Sequence, residues 1–228
     1  MMTDVLGEMQ SLVKAASVKS RGVSVVKRKA KNPNKPAAAW FIDARIGTEK
    51  GTALSIVLST EGCAHARGSE GGCTMCSYLL DGTSTNPTSV EFLNQFLEAM
   101  KKVENKSAPI SVKIYTSGSF LDTNEISIEA RDQILTTIAN DERIKEVVLE
   151  SRPEYVQDSI VEEVRSLLGD RSIEIAMGLE SSSDLIRSVC INKNFDFVDF
   201  KKAVEIGKKH DIGTRASVSY THLRAHET

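Results

Sequence analysis

The chain has 228 residues, 40% of them hydrophobic and 26% charged, with a formal net charge of −2, which suits one sizeable α/β domain of an ordinary globular protein. No run approaches the roughly 18 apolar residues of a membrane span, and the amino terminus MMTDVLGEMQSLVKAAS lacks the apolar core of a signal peptide. Three of the four cysteines crowd into residues 63–76, a spacing suited to metal rather than to disulfides, so a reducing cytoplasm is the expected compartment, with no membrane partner.

The charge is unevenly spread. Residues 1–35 carry Lys14, Lys19, Arg21, Lys27, Arg28, Lys29, Lys31 and Lys35 against Asp4 and Glu8, a balance of +6 that leaves −8 for the remainder. Concentrated basic charge near one end is the footprint of phosphate contact, and it is also the composition of a solvated arm with no partner. Val5, Leu6, Met9, Leu12, Val13 and Ala16 have helical spacing. Residues 17–39 then read as a basic loop or extended arm leading into the core.

Trp40 starts a short strand, WFIDARIG, and is expected to pack at the domain edge. From residue 53 the pattern alternates. Ala53–Ser59 reads as a buried parallel strand. Thr88 and Glu91 form a capping-box pattern opening a helix with Leu93, Phe96, Leu97 and Met100 on one face. Strand Ile110–Tyr115, helix Ser127–Ala139 and strand Ile144–Leu149 follow. Pro153 opens the next helix as a first-turn proline. Strand Ile173–Met177, helix Phe197–Lys209 and a candidate strand Thr214–Val218 complete the series. Strand–helix–strand units of this length call for a parallel sheet with right-handed crossovers; periodicity does not separate a barrel from a doubly wound sheet.

The chemistry-bearing stretch is GCAHARGSEGGCTMCSYLLD, residues 62–81, with Cys63, Cys73 and Cys76 spaced C-x9-C-x2-C. Thiolates this close, on a loop made pliable by Gly68, Gly71 and Gly72, can converge on one soft metal centre. A zinc with His65 as fourth ligand and an iron–sulfur cluster with one open iron both fit three cysteines. The loop leaves the carboxyl end of a strand, where α/β folds bind cofactors.

TSGSFLD, residues 116–122, occupies the next strand end: Gly118 allows close backbone approach, and Ser117, Ser119 and the amides can bind carboxylate or ammonium groups. Glu150 and Glu180 stand at the following strand ends and would face the same mouth, and Arg152 could pair with a carboxylate. Cys190, between Val189 and Ile191, reads as a buried structural thiol.

In STEGCAHARGSEGGCTMCSYLLDGT, TSGSFLD and ESRPEYV the sequence resembles the radical S-adenosylmethionine superfamily, and within it the radical enzymes of archaeosine biosynthesis, relatives of the Elongator catalytic subunit family. The resemblance rests on C-x-Φ-C with Met75 as Φ; the first gap is nine residues where three is usual, and SGS stands where GGE is usual. It implies a partial (β/α) barrel, truncated at the carboxyl end, over residues 40–217, preceded by a helix and basic arm over residues 1–39. It implies a [4Fe-4S] cluster on Cys63, Cys73 and Cys76, and S-adenosyl-L-methionine contacted by Met75, Tyr78, Ser117, Gly118, Ser119, Glu150, Glu180 and Ser181, with the cofactor ribose falling to Glu180 or Ser181. The activity implied is a 5'-deoxyadenosyl radical that cleaves the lysine adduct of 7-cyano-7-deazaguanosine in archaeal tRNA, with tRNA, a lysine-attaching partner and a low-potential electron donor as partners. Another radical tRNA-modifying enzyme, and a zinc-stabilised nucleic-acid-binding module without catalysis, are the alternatives. Residues 218–228, with His222 and His226, resemble translated adapter read-through and are set aside as a non-native tail.

Overall fold

The computed structural model describes residues 2–26, 31–77 and 82–219, without the side chains of 2–4 and 23–26. One sheet holds β1 (Ala38–Ile46), β2 (Glu49–Val57), β3 (Ile110–Tyr115), β4 (Ile144–Glu150), β5 (Ser172–Glu180) and β6 (Gly213–Val218), side by side in chain order. β1 and β2 form an antiparallel hairpin, Ala38 opposite Val57 and Ile46 opposite Glu49, turned through Gly47 at φ 57°. β2 to β6 run parallel. The helices are α1 (Met2–Val26), α2 (Ala64–Arg67), α3 (Ser89–Met100), α4 (Ile128–Ala139), α5 (Asp158–Leu168) and α6 (Phe197–Lys209).

The strand order decides the architecture. A doubly wound sheet reverses direction at a switch point and carries helices on both faces. Here α3 packs on α4, α4 on α5 and α5 on α6, one continuous layer over a sheet that never reverses. Leu54, Ile56, Val112, Ile114 and Val147 of the strands meet Phe92, Phe96, Ile134, Ile138, Val161 and Leu168 of the helices in a single core. The helix starts are fixed locally. At α3 the Thr88 hydroxyl accepts from the Glu91 amide while the Glu91 carboxylate accepts from the Thr88 amide at 2.8 Å, satisfying donors that a helix start leaves open.

Several expectations change. α1 continues to Val26, where an extended arm was expected from residue 17; lysine and arginine are good helix formers, and Ser17 and Arg21 are buried, so tertiary contact extends the helix. Lys27, Arg28 and Lys29 lie outside the described residues. Pro153 opens a 3-10 turn, Pro153–Tyr155, and α5 begins only at Asp158. The α/β expectation holds: among the described residues the mostly parallel sheet stays open, with β1 and β6 as its edges. Trp40 is 46% exposed on edge strand β1. Val218, set aside with the tail, pairs with Glu180 in the sheet, and residues 220–228 lie outside the described residues. No helix among the described residues is long and apolar enough to cross a membrane.

The burial pattern of α3 is directly testable. Phe96 is 0% exposed and its neighbour Leu97 42%, so Phe96→Ala should cost about 3–5 kcal/mol in denaturant unfolding and Leu97→Ala less than about 1 kcal/mol.

Candidate functional site

The loops that leave the carboxyl ends of β2, β3, β4 and β5 enclose a cavity of about 310 Å³. Cys63, His65, Cys73, Met75 and Cys76 come from the first, Thr116, Ser117 and Gly118 from the second, Glu150, Ser151 and Arg152 from the third, and Gly178, Glu180 and Lys193 from the fourth. Parallel strands in sequential order point these ends the same way, which is why residues far apart in the chain line one space.

The first loop is anchored before it reaches its thiols. The Ser59 amide donates to Gln95 Oε1 at 2.7 Å, and Gln95 Nε2 returns a bond to the Ser59 carbonyl at 3.1 Å. The Thr60 hydroxyl donates to the buried Glu125 carboxylate at 2.6 Å, whose other oxygen accepts from the Ser119 amide at 2.8 Å. Gly118 is indispensable at this joint: a Cβ there would lie 2.1 Å from Glu125 Oε2 and 2.7 Å from the Cys63 Cα. Beyond Cys63 the chain makes the short α2, turns through Gly71 and Gly72 at φ 72° and 75°, and closes the C-x2-C turn with the Cys76 amide donating to the Cys73 carbonyl at 3.1 Å.

His65 is buried at 8% exposure. Its Nε2 is 2.7 Å from the Asn192 carbonyl, which makes Nε2 the N–H donor, and its buried Nδ1 has no hydrogen-bond partner among the described residues. Burial lowers its pKa, so the ring is neutral.

Burial pushes the Cys63 and Cys73 thiols up, while Arg152 opposes this at Cys63, and Lys193 and then Arg152 oppose it at Cys73. For Arg152 itself burial disfavours the charge, but Glu154 at 2.5 Å and the nearby thiols outweigh it and leave the pKa raised. Lys193 pairs with Glu180 at 3.2 Å, and Glu180 also accepts from the Ser219 hydroxyl at 2.7 Å. Glu180 holds φ 64°, a conformation rarely adopted by residues other than glycine, asparagine and aspartate and characteristic of functional segments. The two cations beside these half-buried thiols favour the ionised thiolate.

Ten of the sequence-derived candidates line the cavity: Cys63, His65, Cys73, Cys76, Met75, Ser117, Gly118, Glu150, Arg152 and Glu180. Ser119 and Ser181 are not among its lining residues. The Ser119 hydroxyl accepts from the Arg152 amide at 2.9 Å, and Ser181 accepts Arg187 on its carbonyl and the Ser183 amide on its hydroxyl, so both are occupied in shaping loops. Tyr78 lies outside the described residues. Cys190, expected to be buried, is exposed, because the π-helical segment Ile186–Ile191 turns Val189 and Ile191 inward instead. Lys193, Asn192, Glu125 and the internal role of Arg21 were missed, since none belongs to a motif or an apolar period. Among the described residues no three of His, Cys, Asp and Glu stand close enough together to hold one metal ion.

Fold and site together define an α/β protein with a thiol-lined cavity at the carboxyl ends of consecutive parallel strands. The chain is 41% identical over 187 residues to archaeosine synthase subunit beta of Methanosarcina acetivorans, covering 82% of this chain and 53% of that one. It is 38% identical over 170 residues to the protein of the same name from Thermococcus kodakarensis, covering 75% and 52%, and 41% identical over 194 residues to an uncharacterized protein of Methanocaldococcus jannaschii, covering 83% and 52%. The chain therefore spans about half the length of the curated relatives it matches. No family model matches it.

These findings correct the recognition drawn from the cysteine loop. No family model of the radical S-adenosylmethionine superfamily or any other matches, and the matching relatives bear the name archaeosine synthase subunit beta. A C-x-Φ-C pair with a nine-residue first gap, and SGS in place of GGE, is too short and too altered a pattern to set the superfamily. The archaeosine part of that reading agrees with the relatives' names.

Burial raises the Glu150 pKa to about 7; the Thr116 amide opposes this, the Glu125 carboxylate adds to it and Lys193 opposes it. The folded state thus binds more protons at Glu150 than the unfolded state between about pH 4.5 and 7, and stability falls as pH rises through that window. Cofactor-free wild type should lose more stability than Glu150→Gln between pH 5 and 8, by on the order of 1–3 kcal/mol, measured by denaturant unfolding at both pH values.

Proposed function

We propose that this chain carries the cofactor cavity of an archaeosine synthase β-type protein and works in the archaeosine modification of tRNA. The observation that carries the reading is the convergence of Cys63, Cys73 and Cys76 on one cavity with the ends of the next three strands; the relatives' names supply the pathway.

The residues present fit a [4Fe-4S] cluster. Three thiolates leave a fourth iron for a small-molecule ligand. Arg152 and Lys193 beside the thiols offset its anionic charge.

Bound together with S-adenosyl-L-methionine, such a cluster would supply one-electron chemistry toward the modified base. The chain's own residues bind and orient. Ser117 and Gly118 would line the methionyl end, Glu150 and Glu180 would offer acceptors for ribose hydroxyls, and Met75 would supply an apolar contact for the adenine. The Arg152 guanidinium is engaged by Glu154 and Asn194 and contributes field rather than a free fork. The partners are the tRNA, a lysine-attaching subunit and a low-potential electron donor, in the cytoplasm.

Anaerobic reconstitution should load about four irons and four sulfides per chain. Cys63→Ala, Cys73→Ala or Cys76→Ala should abolish loading, and Cys190→Ala, at an exposed thiol, should not. Stoichiometric zinc without iron uptake would overturn the cofactor assignment.

For the tRNA, the basic segment is the test. Changing Lys27, Arg28, Lys29 and Lys31 together to Ala should weaken binding and flatten its salt dependence by about 0.7–0.9 log unit for each phosphate no longer neutralised; an unchanged slope would make the segment a solvated surface. Arg21 is omitted from that set because it is spent inside the protein.

A further inference from the structure

Four successive carbonyls of the cysteine loop are each taken by a side chain from a distant part of the chain. Asn192 Nδ2 donates to the carbonyls of Glu70 at 2.6 Å and Gly72 at 2.8 Å. Arg21 Nε donates to the Gly71 carbonyl at 3.0 Å, and its Nη2 to the Cys73 carbonyl. The carbonyls alternate between two clamps because Gly71 and Gly72, both at positive φ, reverse the peptide direction at each step.

α1 presses on the same turn. A Cβ on Gly71 would lie 2.4 Å from the Val18 backbone nitrogen, and Lys14 pairs with Glu70 at 2.5 Å. On the other side the Thr74 amide donates to the Ile191 carbonyl at 2.9 Å, and the Thr74 hydroxyl to the Cys190 carbonyl at 3.1 Å. Asn192 itself sits at φ 56°, a left-handed position that asparagine tolerates better than most residues, and its own carbonyl is the one His65 engages.

We infer that Arg21 and Asn192 are positioning residues which hold the nine-residue gap between Cys63 and Cys73 in the conformation that brings the thiols to the cavity. A gap of that length with two left-handed glycines has many open conformations, and ordering it costs entropy at every residue. The two clamps supply the compensating hydrogen bonds from outside the loop. α1 is therefore part of the thiol site, and Arg21 is withdrawn from any nucleic-acid contact. This inference rests on the cluster reading only for its role in cofactor loading; the conformation of the loop is testable without it.

The experiment uses the full chain. Asn192→Gly keeps the left-handed backbone and removes the donors, Asn192→Asp keeps the shape with the wrong charge, and Arg21→Lys keeps the charge without the fork. Thiol alkylation of the metal-free proteins is followed by peptide mass spectrometry. Labelling of Cys73 and Cys76 should accelerate roughly tenfold or more in Asn192→Gly and Asn192→Asp, since both variants remove two hydrogen bonds to the loop. Exposed Cys190 should label at the wild-type rate, and the thermal midpoint should fall by only a few degrees, since the core is untouched. Arg21→Lys should fall between wild type and Arg21→Ala, a graded response that loss of folding would not give. After reconstitution the same variants should retain less iron per chain than wild type, in the same order. Wild-type alkylation rates in Asn192→Gly and Arg21→Ala would overturn the inference. Failure of the wild type to take up iron would overturn the cluster reading while leaving the alkylation result to decide the clamp.

Discussion

A buried carboxylate, Glu125, joins the ends of the first two parallel strands, and the cavity takes its geometry from that joint. Its oxygens accept from Thr60 and from the Ser119 amide, so the loop that carries the thiols and the loop that carries Gly118 share one anchor. The absence of a side chain at Gly118 lets the Cys63 backbone approach the same anchor closely. Burial raises the Glu125 pKa, and its hydrogen bonds from Thr60 and the Ser119 amide oppose the rise without cancelling it. A carboxylate this enclosed is tolerated because its acceptor sites are filled; removing Thr60 or the Ser119 contact would leave it uncompensated.

From that joint the charges around the cavity acquire their sense. Arg152 and Lys193 stand beside thiols that burial alone would keep protonated, and Lys193 is held in place by Glu180 and stacked near the Phe195 ring at 5.6 Å. Glu180 in turn is held by Ser219 at the far edge of the sheet. The electrostatic environment of the thiols is thus set by Arg152 after β4, Glu125 after β3, Glu180 at the end of β5 and Lys193 after Ile191, none of which neighbours the cysteine loop in sequence.

The outer ring of contacts comes from still further away. α1, whose carboxyl-terminal half reads as a solvated basic stretch, places Arg21 against the cysteine loop with 7% exposure. The π-helical segment and Asn192 close the opposite side. Basic composition therefore includes charge spent inside the protein, and composition cannot tell that part from the rest.

The sequence by itself determined the local elements. Capping at Thr88, the apolar face of α3 and the β-branched run of β2 are decided by neighbours within a few residues, so their pattern is legible in the chain. The cysteine spacing likewise pointed to thiols sharing one space, and strand-end positions picked out Gly118, Glu150 and Glu180 as lining it. Tertiary structure decided the rest. β1 turned back as an antiparallel edge, α1 ran ten residues past its apolar period, Cys190 faced outward, and Ser119 and Ser181 were absorbed into loop bonding. Arg21 and Asn192 acquired their roles through hydrogen bonds across 50 to 122 residues, and Glu125 and Lys193 through contacts that form only where the parallel strands bring their carboxyl ends to one place, so no period or motif announces them.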